Sequence, residues 1–326
     1  MSETPISVVI PVRNAEAVIG DALRSVYAST RAPREVIVVD DGCKDRTIEV
    51  ARAFPVRVVA SEAPGGVAAA RNTGAAAASG PVLFFLDADV VLEPGALAAA
   101  ARAMEDPDVT VAIGLQSPRS FFRNPASVYK NYWLHYTYRK RADRVAVIYS
   151  SAVGIRRGPF ERVGGFDPNY RTPNIEDSDL GKRLTEAGYR VAVVPDLMFQ
   201  HIKRYSVAGM FRTDFRRTAG MTKVQLRDRF RRILRENYSS IPTSFLVSCL
   251  APWAALLALA AGRPLAALAF LPGSVLLLNA HWLADLARSQ GARFALFGAL
   301  FLHLDVFAVN AGALWGMLTY ALGRKY

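Results

Sequence analysis

Cysteine is almost missing from this chain, with only Cys43 and Cys249 in 326 residues. Neither has a second cysteine at metal-type spacing, which excludes a zinc-ribbon or iron–sulfur framework. Cys43 falls in a turn pattern and Cys249 in an apolar run, so no disulfide between them is expected. Acidic residues are also in short supply. There are 28 Asp and Glu against 40 Lys and Arg, a formal charge of +12. The N-terminus lacks the basic leader and long apolar stretch of an export signal, entering almost directly into Ile6-Ser7-Val8-Val9-Ile10-Pro11. The front of the chain is therefore expected to stay in the cytoplasm. No internal repeat is visible.

A charge of +12 sits oddly with a mean hydropathy of +0.16. Segregation reconciles them. Apolar residues concentrate after Ile241, and much of the basic excess lies just before it, from Lys203 to Arg235. Three apolar runs, Pro242–Ala261, Pro264–Ala284 and Phe294–Leu322, each reach the roughly 20 residues a helix needs to cross a bilayer. Between Ser206 and Asn237, apolar residues (Phe211, Phe215, Val224, Leu226, Phe230, Ile233, Leu234) recur at helical spacing among bases. That pattern predicts amphipathic helices lying in the membrane interface. The basic belt suits anionic headgroups and the positive-inside rule, which favours lipid over nucleic acid as its partner. Three spans would leave Arg324-Lys325 outside, an arrangement the same rule opposes. His303 and Asp305 fall inside the third run, where ionisable groups are costly. Two residues apart on a helix, they share no face.

The first hundred residues are built differently. Strand patterns at Ile6–Val12, Glu35–Val39, Val56–Ala60 and Val82–Leu86 alternate with helical ones at Ala15–Ala28, Asp45–Phe54, Gly66–Ala78 and Pro94–Met104. Such alternation predicts βαβ units and a mainly parallel sheet. Ligands bind such sheets beyond the carboxyl ends of the strands. The polar clusters Arg13-Asn14, Asp40-Asp41-Gly42 and Asp87-Ala88-Asp89 fall there. Further strands are expected at Val109–Leu115, Val147–Ile155 and Tyr189–Val194, and a helix over Glu176–Ala187. Between them, Arg119–Arg144 interleaves Phe121, Phe122, Tyr129, Tyr132, Trp133, Tyr136 and Tyr138 with bases. It suits a single-stranded nucleic acid, a membrane interface, an acceptor gate or plain helix packing. Three regions follow: 1–202, 203–240 and 241–326.

Phe84-Phe85-Leu86-Asp87-Ala88-Asp89 is the central chemical signal. In an extended segment, residues i and i+2 point to one face, so Asp87 and Asp89 are expected to converge. Two bare carboxylates that close resist joint ionisation without a neutralising partner. A hard divalent cation, Mg²⁺ or Mn²⁺, fits them, bridging to phosphate oxygens and easing departure of a diphosphate.

Five pieces in order carry a family resemblance: Val8-Val9-Ile10-Pro11 with Asn14, Val38-Val39-Asp40-Asp41-Gly42, Ala70-Arg71-Asn72-Thr73-Gly74, Asp87-Ala88-Asp89, and Glu176-Asp177. Over Ile6 to His201 the chain resembles the family 2 inverting glycosyltransferases of the GT-A fold. The resemblance implies a nucleoside-diphosphate sugar donor, a divalent metal and inversion at the anomeric carbon. It assigns Pro11, Val12 and Arg13 to the nucleoside pocket and Asp40 or Asp41 to the base or ribose. Arg71 would face the diphosphate or brace Asp87, and Ala88 would line the donor between the two metal-binding aspartates. Asp177 would be the general base, and His201 would complete the metal site formed with Asp87 and Asp89. Cys43 stands where the family usually has Ser, removing a capping hydroxyl. The membrane tail points to a lipid-linked or glycolipid hydroxyl acceptor at the cytoplasmic face of the cell (inner) membrane. A polyprenyl phosphate acceptor, which needs no base, and a non-catalytic membrane scaffold are the competing readings. Nucleic acid is not an expected partner.

Overall fold

The computed structural model describes residues 4–62, 66–140, 148–170, 175–227 and 242–324. Contacts divide the chain into two units: residues 1–121, 138–203 and 235–238 form one, and residues 122–137, 204–234 and 239–326 the other.

Elements up to the end of the first unit run β1 (Ile6–Val12), α1 (Ile19–Tyr27), β2 (Glu35–Asp40), α2 (Thr47–Arg52), β3 (Arg57–Ala60), α3 (Val67–Ala77), β4 (Val82–Leu86), β5 (Val90–Leu92), α4 (Ala96–Ala103), β6 (Val109–Gln116), α5 (Pro125–Arg139), β7 (Ala152–Arg156), α6 (Arg157–Arg162), α7 (Glu176–Glu186) and β8 (Arg190–His201). The strands form one mixed, mainly parallel sheet in the order β3-β2-β1-β4-β7-β6-β8-β5. β1 to β4 are parallel to one another, as are β6 and β8, while β7 and β5 pair antiparallel to their neighbours. Every residue of β1, β4 and β6 is buried, which matches their largely apolar sequences: a sheet covered on both faces has no wet side to alternate toward. Gly74 lets α3 settle on the sheet. A Cβ there would stand 2.8 Å from Val39 Cγ2 and closer still to Val9 Cγ1.

Two features of the sheet depart from the sequence pattern, and both shape the site. The strand expected over Tyr189–Val194 begins at Arg190 and continues to His201. Its ladder with β6 jumps from Gly114↔Val194 to Leu115↔Met198, so Pro195, Asp196 and Leu197 bulge out of register. A bulge admits the proline that a regular ladder would reject. Gly114 makes room for it, since a Cβ there would meet Leu197 Cδ2 at 2.7 Å. Past the bulge, β8 pairs with the unforeseen three-residue β5, with Val90 opposite His201. The strand expected from Val147 starts at Ala152; Val147 itself lies outside the described residues.

The second unit contains most of α5 together with α8 (Val207–Arg227), α9 (Thr243–Ser248), α10 (Ala251–Ala260), α11 (Pro264–Leu278), α12 (Ala280–Gln290) and α13 (Ala292–Ala321). Of the aromatics in the Arg119–Arg144 stretch, Tyr129, Tyr132, Trp133 and Tyr136 are buried in this unit. Trp133 sits edge-on to Phe245 and Trp282, with centroids 5.1 and 5.2 Å away, and Tyr129 meets Phe301 at 5.2 Å. Buried Lys130 pairs with buried Asp214, and Tyr132 donates its hydroxyl to Asp285 Oδ2 at 2.7 Å.

Among the described residues, two helical stretches are long and apolar enough to cross a membrane, Thr243–Ala260 and Ala292–Ala321, or three if a bent pair counts as one. The second stretch expected to span, Pro264–Ala284, falls on this bent pair. α11 and α12 meet at 60° around Asn279, whose amide donates to Ser248 Oγ at 2.7 Å and to the Val275 carbonyl at 2.8 Å. Beyond it, Asp285 and Arg288 make α12 amphipathic. Many leucines on these helices face outward, among them Leu257 at 73%, Leu265 at 81% and Leu277 at 79% exposed. Apolar surface of this extent calls for an apolar surrounding. α8 follows α13 closely. Phe211 lies edge-on to Phe301, and Gly312 and Gly316 let the backbone of α8 approach at Phe215 and Ala219. These contacts run from Phe211 to Ala219, about two turns of α8. Residues 228–241, including Phe230, Ile233 and Leu234, lie outside the described residues.

Candidate functional site

β2, β1 and β4 lie side by side, and their carboxyl ends deliver three polar turns to one edge of the sheet. Val12 pairs with Asp40, bringing the Pro11-Val12-Arg13 and Asp40-Asp41 segments together. Pro11 and Val12 are buried and Arg13 is exposed. Asn14, in the left-handed region at φ 52°, accepts from the Lys44 amide at 2.8 Å and ties the first turn to the second. Asp40 Oδ1 accepts from the amides of Gly42 (3.0 Å) and Cys43 (2.8 Å). This is an Asx turn. Asp41 is buried, and its Oδ1 accepts from the Gly66 amide at 3.3 Å, where α3 begins.

Asp87-Ala88-Asp89 is not extended, as its strand-like approach had suggested. It forms the tight turn from β4 into β5, with the Val90 amide donating to the Asp87 carbonyl at 3.1 Å. A turn brings the two carboxylates together as an extended segment would have, and it also returns the chain toward β8. There the Ile202 amide donates to the Asp89 carbonyl at 2.7 Å. Asp87, Asp89 and His201 each present a ligand atom, all within 4.8 Å of one another. His201 Nε2 stands 3.7 Å from Asp89 Oδ1.

The two aspartates differ in their surroundings. Burial works against ionisation of Asp87, but the Arg71 guanidinium, helped by His201, outweighs it and holds the carboxyl below its ordinary value. Burial raises Asp89, and the neighbouring Asp87 charge adds to the rise despite His201 and Lys203. Asp89 is therefore the group that most needs a further cation. Two carboxylates and an imidazole form an acceptable donor set for a divalent ion of the Mn²⁺ type. Each carboxylate oxygen that already accepts one hydrogen bond keeps a second lone pair.

Arg71 is 3% exposed. Its two terminal nitrogens donate to Asp87 Oδ1 and Glu176 Oε1, each at 2.8 Å, and its guanidinium lies 5.2 Å from the centre of the Phe166 ring. Burial disfavours its charge, but Asp87 and Glu176 more than compensate and raise its pKa. The guanidinium thus engages two carboxylates from within the fold. Glu176 and Asp177 open α7, where the free amides of a first turn favour anions. Asp177 Oδ1 accepts from the Ser178 amide at 2.7 Å, and Oδ2 accepts from the Ser150 amide at 3.2 Å.

Sequence reasoning passed over three residues, Tyr149, Ser150 and Ser151. Tyr149 Oη lies 3.3 Å from His201 Nδ1. The Ser150 hydroxyl reaches Asp177 Oδ2 at 3.4 Å. The Ser151 hydroxyl donates to Asp87 Oδ2 at 2.9 Å, and its carbonyl accepts from the Asp87 amide at 3.1 Å. The one available signal was a Ser-Ser pair inside an otherwise apolar strand pattern. His303 and Asp305 belong to the second unit, where buried Asp305 lies near Asp214 and Lys130.

The model for glycosyl transferase family 2 matches residues 7–164. The pre-mycofactocin glycosyltransferase of Mycobacterium tuberculosis (strain CDC 1551 / Oshkosh) is 33% identical over 216 residues, covering 62% of this chain and 44% of its own length. This chain therefore spans less than half of that relative. Glycosyltransferase AglE of Haloferax volcanii is 28% identical over 233 residues, 69% of this chain and 75% of its own. Among solved structures, the mannosyltransferase PcManGT from Pyrobaculum calidifontis, in complex with GDP-Man and Mn²⁺, superposes with a TM-score of 0.62 at 20% identity, covering 97% of this chain and 88% of that one. At that identity the likeness concerns the fold, which is GT-A.

Proposed function

From the premise that residues 7–164 of this chain are a glycosyl transferase family 2 domain, we propose that it is a metal-dependent inverting glycosyltransferase. It moves a sugar from a nucleoside-diphosphate sugar to a hydroxyl of a lipid-linked or glycolipid acceptor. The observation that carries this reading is the convergence of Asp87, Asp89 and His201, with Asp177 attached to the same turn through Ser150-Ser151. The neighbour solved with GDP-Man and Mn²⁺ supports the choice of donor class and metal.

In this account the nucleoside rests against Pro11, Val12 and Arg13, with Asp40 or Asp41 accepting from base or ribose. Ala88 lies against the donor between the two metal-binding aspartates. Asp87, Asp89 and His201 hold Mn²⁺ or Mg²⁺, whose charge would stabilise the departing diphosphate. Arg71 keeps Asp87 ionised and fixes Glu176, so the adjacent Asp177 is held at the start of α7. Asp177 Oδ2 takes the proton of the acceptor hydroxyl as its oxygen attacks the anomeric carbon. Attack opposite the leaving diphosphate inverts that centre.

The apolar helices and basic α8 support a multi-pass cell (inner) membrane protein that docks on anionic lipid with the sheet domain on the cytoplasmic side. Holding enzyme and acceptor in one membrane raises their effective concentration. The three functional regions proposed are 1–202 for catalysis, 203–240 for the interface and 241–326 for the membrane.

Thermal stabilisation of the detergent-purified chain by a panel of nucleotide sugars with Mn²⁺ identifies the donor. Nucleotide release then reports turnover. Stabilisation by one donor class, lost with Asp89→Ala, is the expected result. No stabilisation and no release across the panel would instead fit a non-catalytic scaffold. Turnover that favours a polyprenyl phosphate and survives Asp177→Asn would move the acceptor to a phosphate.

A further inference from the structure

The three residues before β7 make contacts that no part of the proposed reaction requires of them individually. Tyr149, Ser150 and Ser151 are consecutive, and each engages a different member of the site: His201, Asp177 and Asp87 in turn. Ser151 touches Asp87 twice, through its hydroxyl and through its carbonyl. Tyr149 packs against two further rings, 5.6 Å from Tyr138 and 6.0 Å from Phe199. Ser150 and Ser151 are buried, so the segment lies inside the fold beneath the groups it holds.

We propose that Tyr149-Ser150-Ser151 is a single brace that sets the geometry of the metal ligands and the base together; the proposal rests on the glycosyltransferase reading above. The imidazole shows the logic most clearly. A neutral His201 carries one ring proton, and a tyrosine oxygen beside Nδ1 stabilises that proton on Nδ1. The Nε2 lone pair then faces Asp89, where a cation would be held. A hydrogen bond to the far nitrogen is the usual means of orienting a histidine ligand and raising its basicity. Ser151 does the corresponding work for Asp87. It holds Oδ2 while Arg71 holds Oδ1, so the carboxylate plane cannot rotate. Ser150 supplies an amide and a hydroxyl to one oxygen of Asp177. Because the three residues are adjacent, a shift of the segment moves base and ligands as one. These are positioning residues, acting through the groups they touch.

The test is Mn²⁺ binding to the detergent-purified full-length chain, read from the EPR signal of free Mn²⁺, with thermal stability measured alongside. Tyr149→Phe keeps the ring and removes only the hydroxyl. It is expected to weaken Mn²⁺ binding about tenfold or more, with the melting temperature of the metal-free protein unchanged. Ser151→Ala should do the same, and Ser151→Thr, which restores a hydroxyl, should recover the affinity. Ser150→Ala should lower kcat while leaving Mn²⁺ binding and donor KM as they were, because it acts on the base alone. Wild-type Mn²⁺ affinity in both Tyr149→Phe and Ser151→Ala overturns the brace. So does a loss in Ser151→Ala that threonine fails to restore. Asp89→Ala separates the two ideas. If it abolishes Mn²⁺ binding while the brace variants bind normally, only the brace fails. If the wild type shows no Asp89-dependent binding, the metal-dependent reading fails and takes the brace with it.

Discussion

Arg71 is the residue on which the acidic side of the site depends. It is buried and donates to two carboxylates, so removing it takes from Asp87 and Glu176 the guanidinium that both accept from. Breaking one side of a buried ion pair costs about 3–5 kcal/mol. Arg71→Met is therefore expected to lower the melting temperature markedly, measurable by intrinsic fluorescence in detergent. Arg71→Lys should rescue little, since an ammonium cannot fork to two carboxylates as a guanidinium does. Asp177→Asn should behave differently. With a hydroxyl acceptor, kcat should fall about 10²–10⁴-fold with donor KM and stability unchanged, as expected for a group that acts only in the chemical step; undiminished nucleotide release would remove Asp177 from the mechanism. At this scale the sequence was readable wherever chemistry left a local trace. Asp87, Asp89 and Arg71 sit in short ordered motifs, and the pairing of Arg71 with Asp87 was one of two roles foreseen for it. Glu176 as its second partner lies 105 positions away, and no local pattern reports that.

The elements show where the pattern failed and why. β1, β2 and β4 were legible because buried parallel strands are continuous apolar runs. The last part of β8 was not, because Pro195-Asp196 reads as an ending and only the bulge over Gly114 lets the strand resume. His201 is brought to Asp89 by that resumed segment and its pairing with β5. Gly114→Val should accordingly disturb more than packing. Its branched side chain would press on Leu197, and Mn²⁺ affinity is expected to fall together with stability, by a few kcal/mol at most; intact Mn²⁺ binding would mean that β8 keeps its register by other means. In the helical unit, the second apolar run bends where Asn279 satisfies its amide internally and polar residues follow. The seam of α8 and α13 was also hidden, since Gly312 and Gly316 look unremarkable in an apolar run. Gly316→Leu would drive a side chain into the Ala219 carbonyl, which lies 2.6 Å from a built Cβ. The expected cost is about 1–3 kcal/mol, seen as a lower detergent-resistant melting point; an unchanged melting point would argue that the helices separate freely.

For the whole molecule, the exposed leucines of α10 and α11 imply a chain that salt or alkaline carbonate fails to release from membranes and only detergent extracts. Release by salt alone would reduce the association to surface charge. The tail was legible as apolar length and the front half as alternation and motif. Which helix pairs with which was not, because small-residue contacts and side-chain clasps such as Asn279 to Ser248 leave no periodic signature. The claim at the centre is that Asp87, Asp89 and His201 together hold one divalent ion against the diphosphate of a nucleotide. Pulsed EPR of Mn²⁺ on the full-length chain, with the nucleoside diphosphate of its donor bound, reads this directly. Expected are a nitrogen coupling that disappears in His201→Ala and a phosphorus coupling that persists there, with both lost in Asp89→Ala. A bound ion that couples to neither nitrogen nor phosphorus would contradict the account.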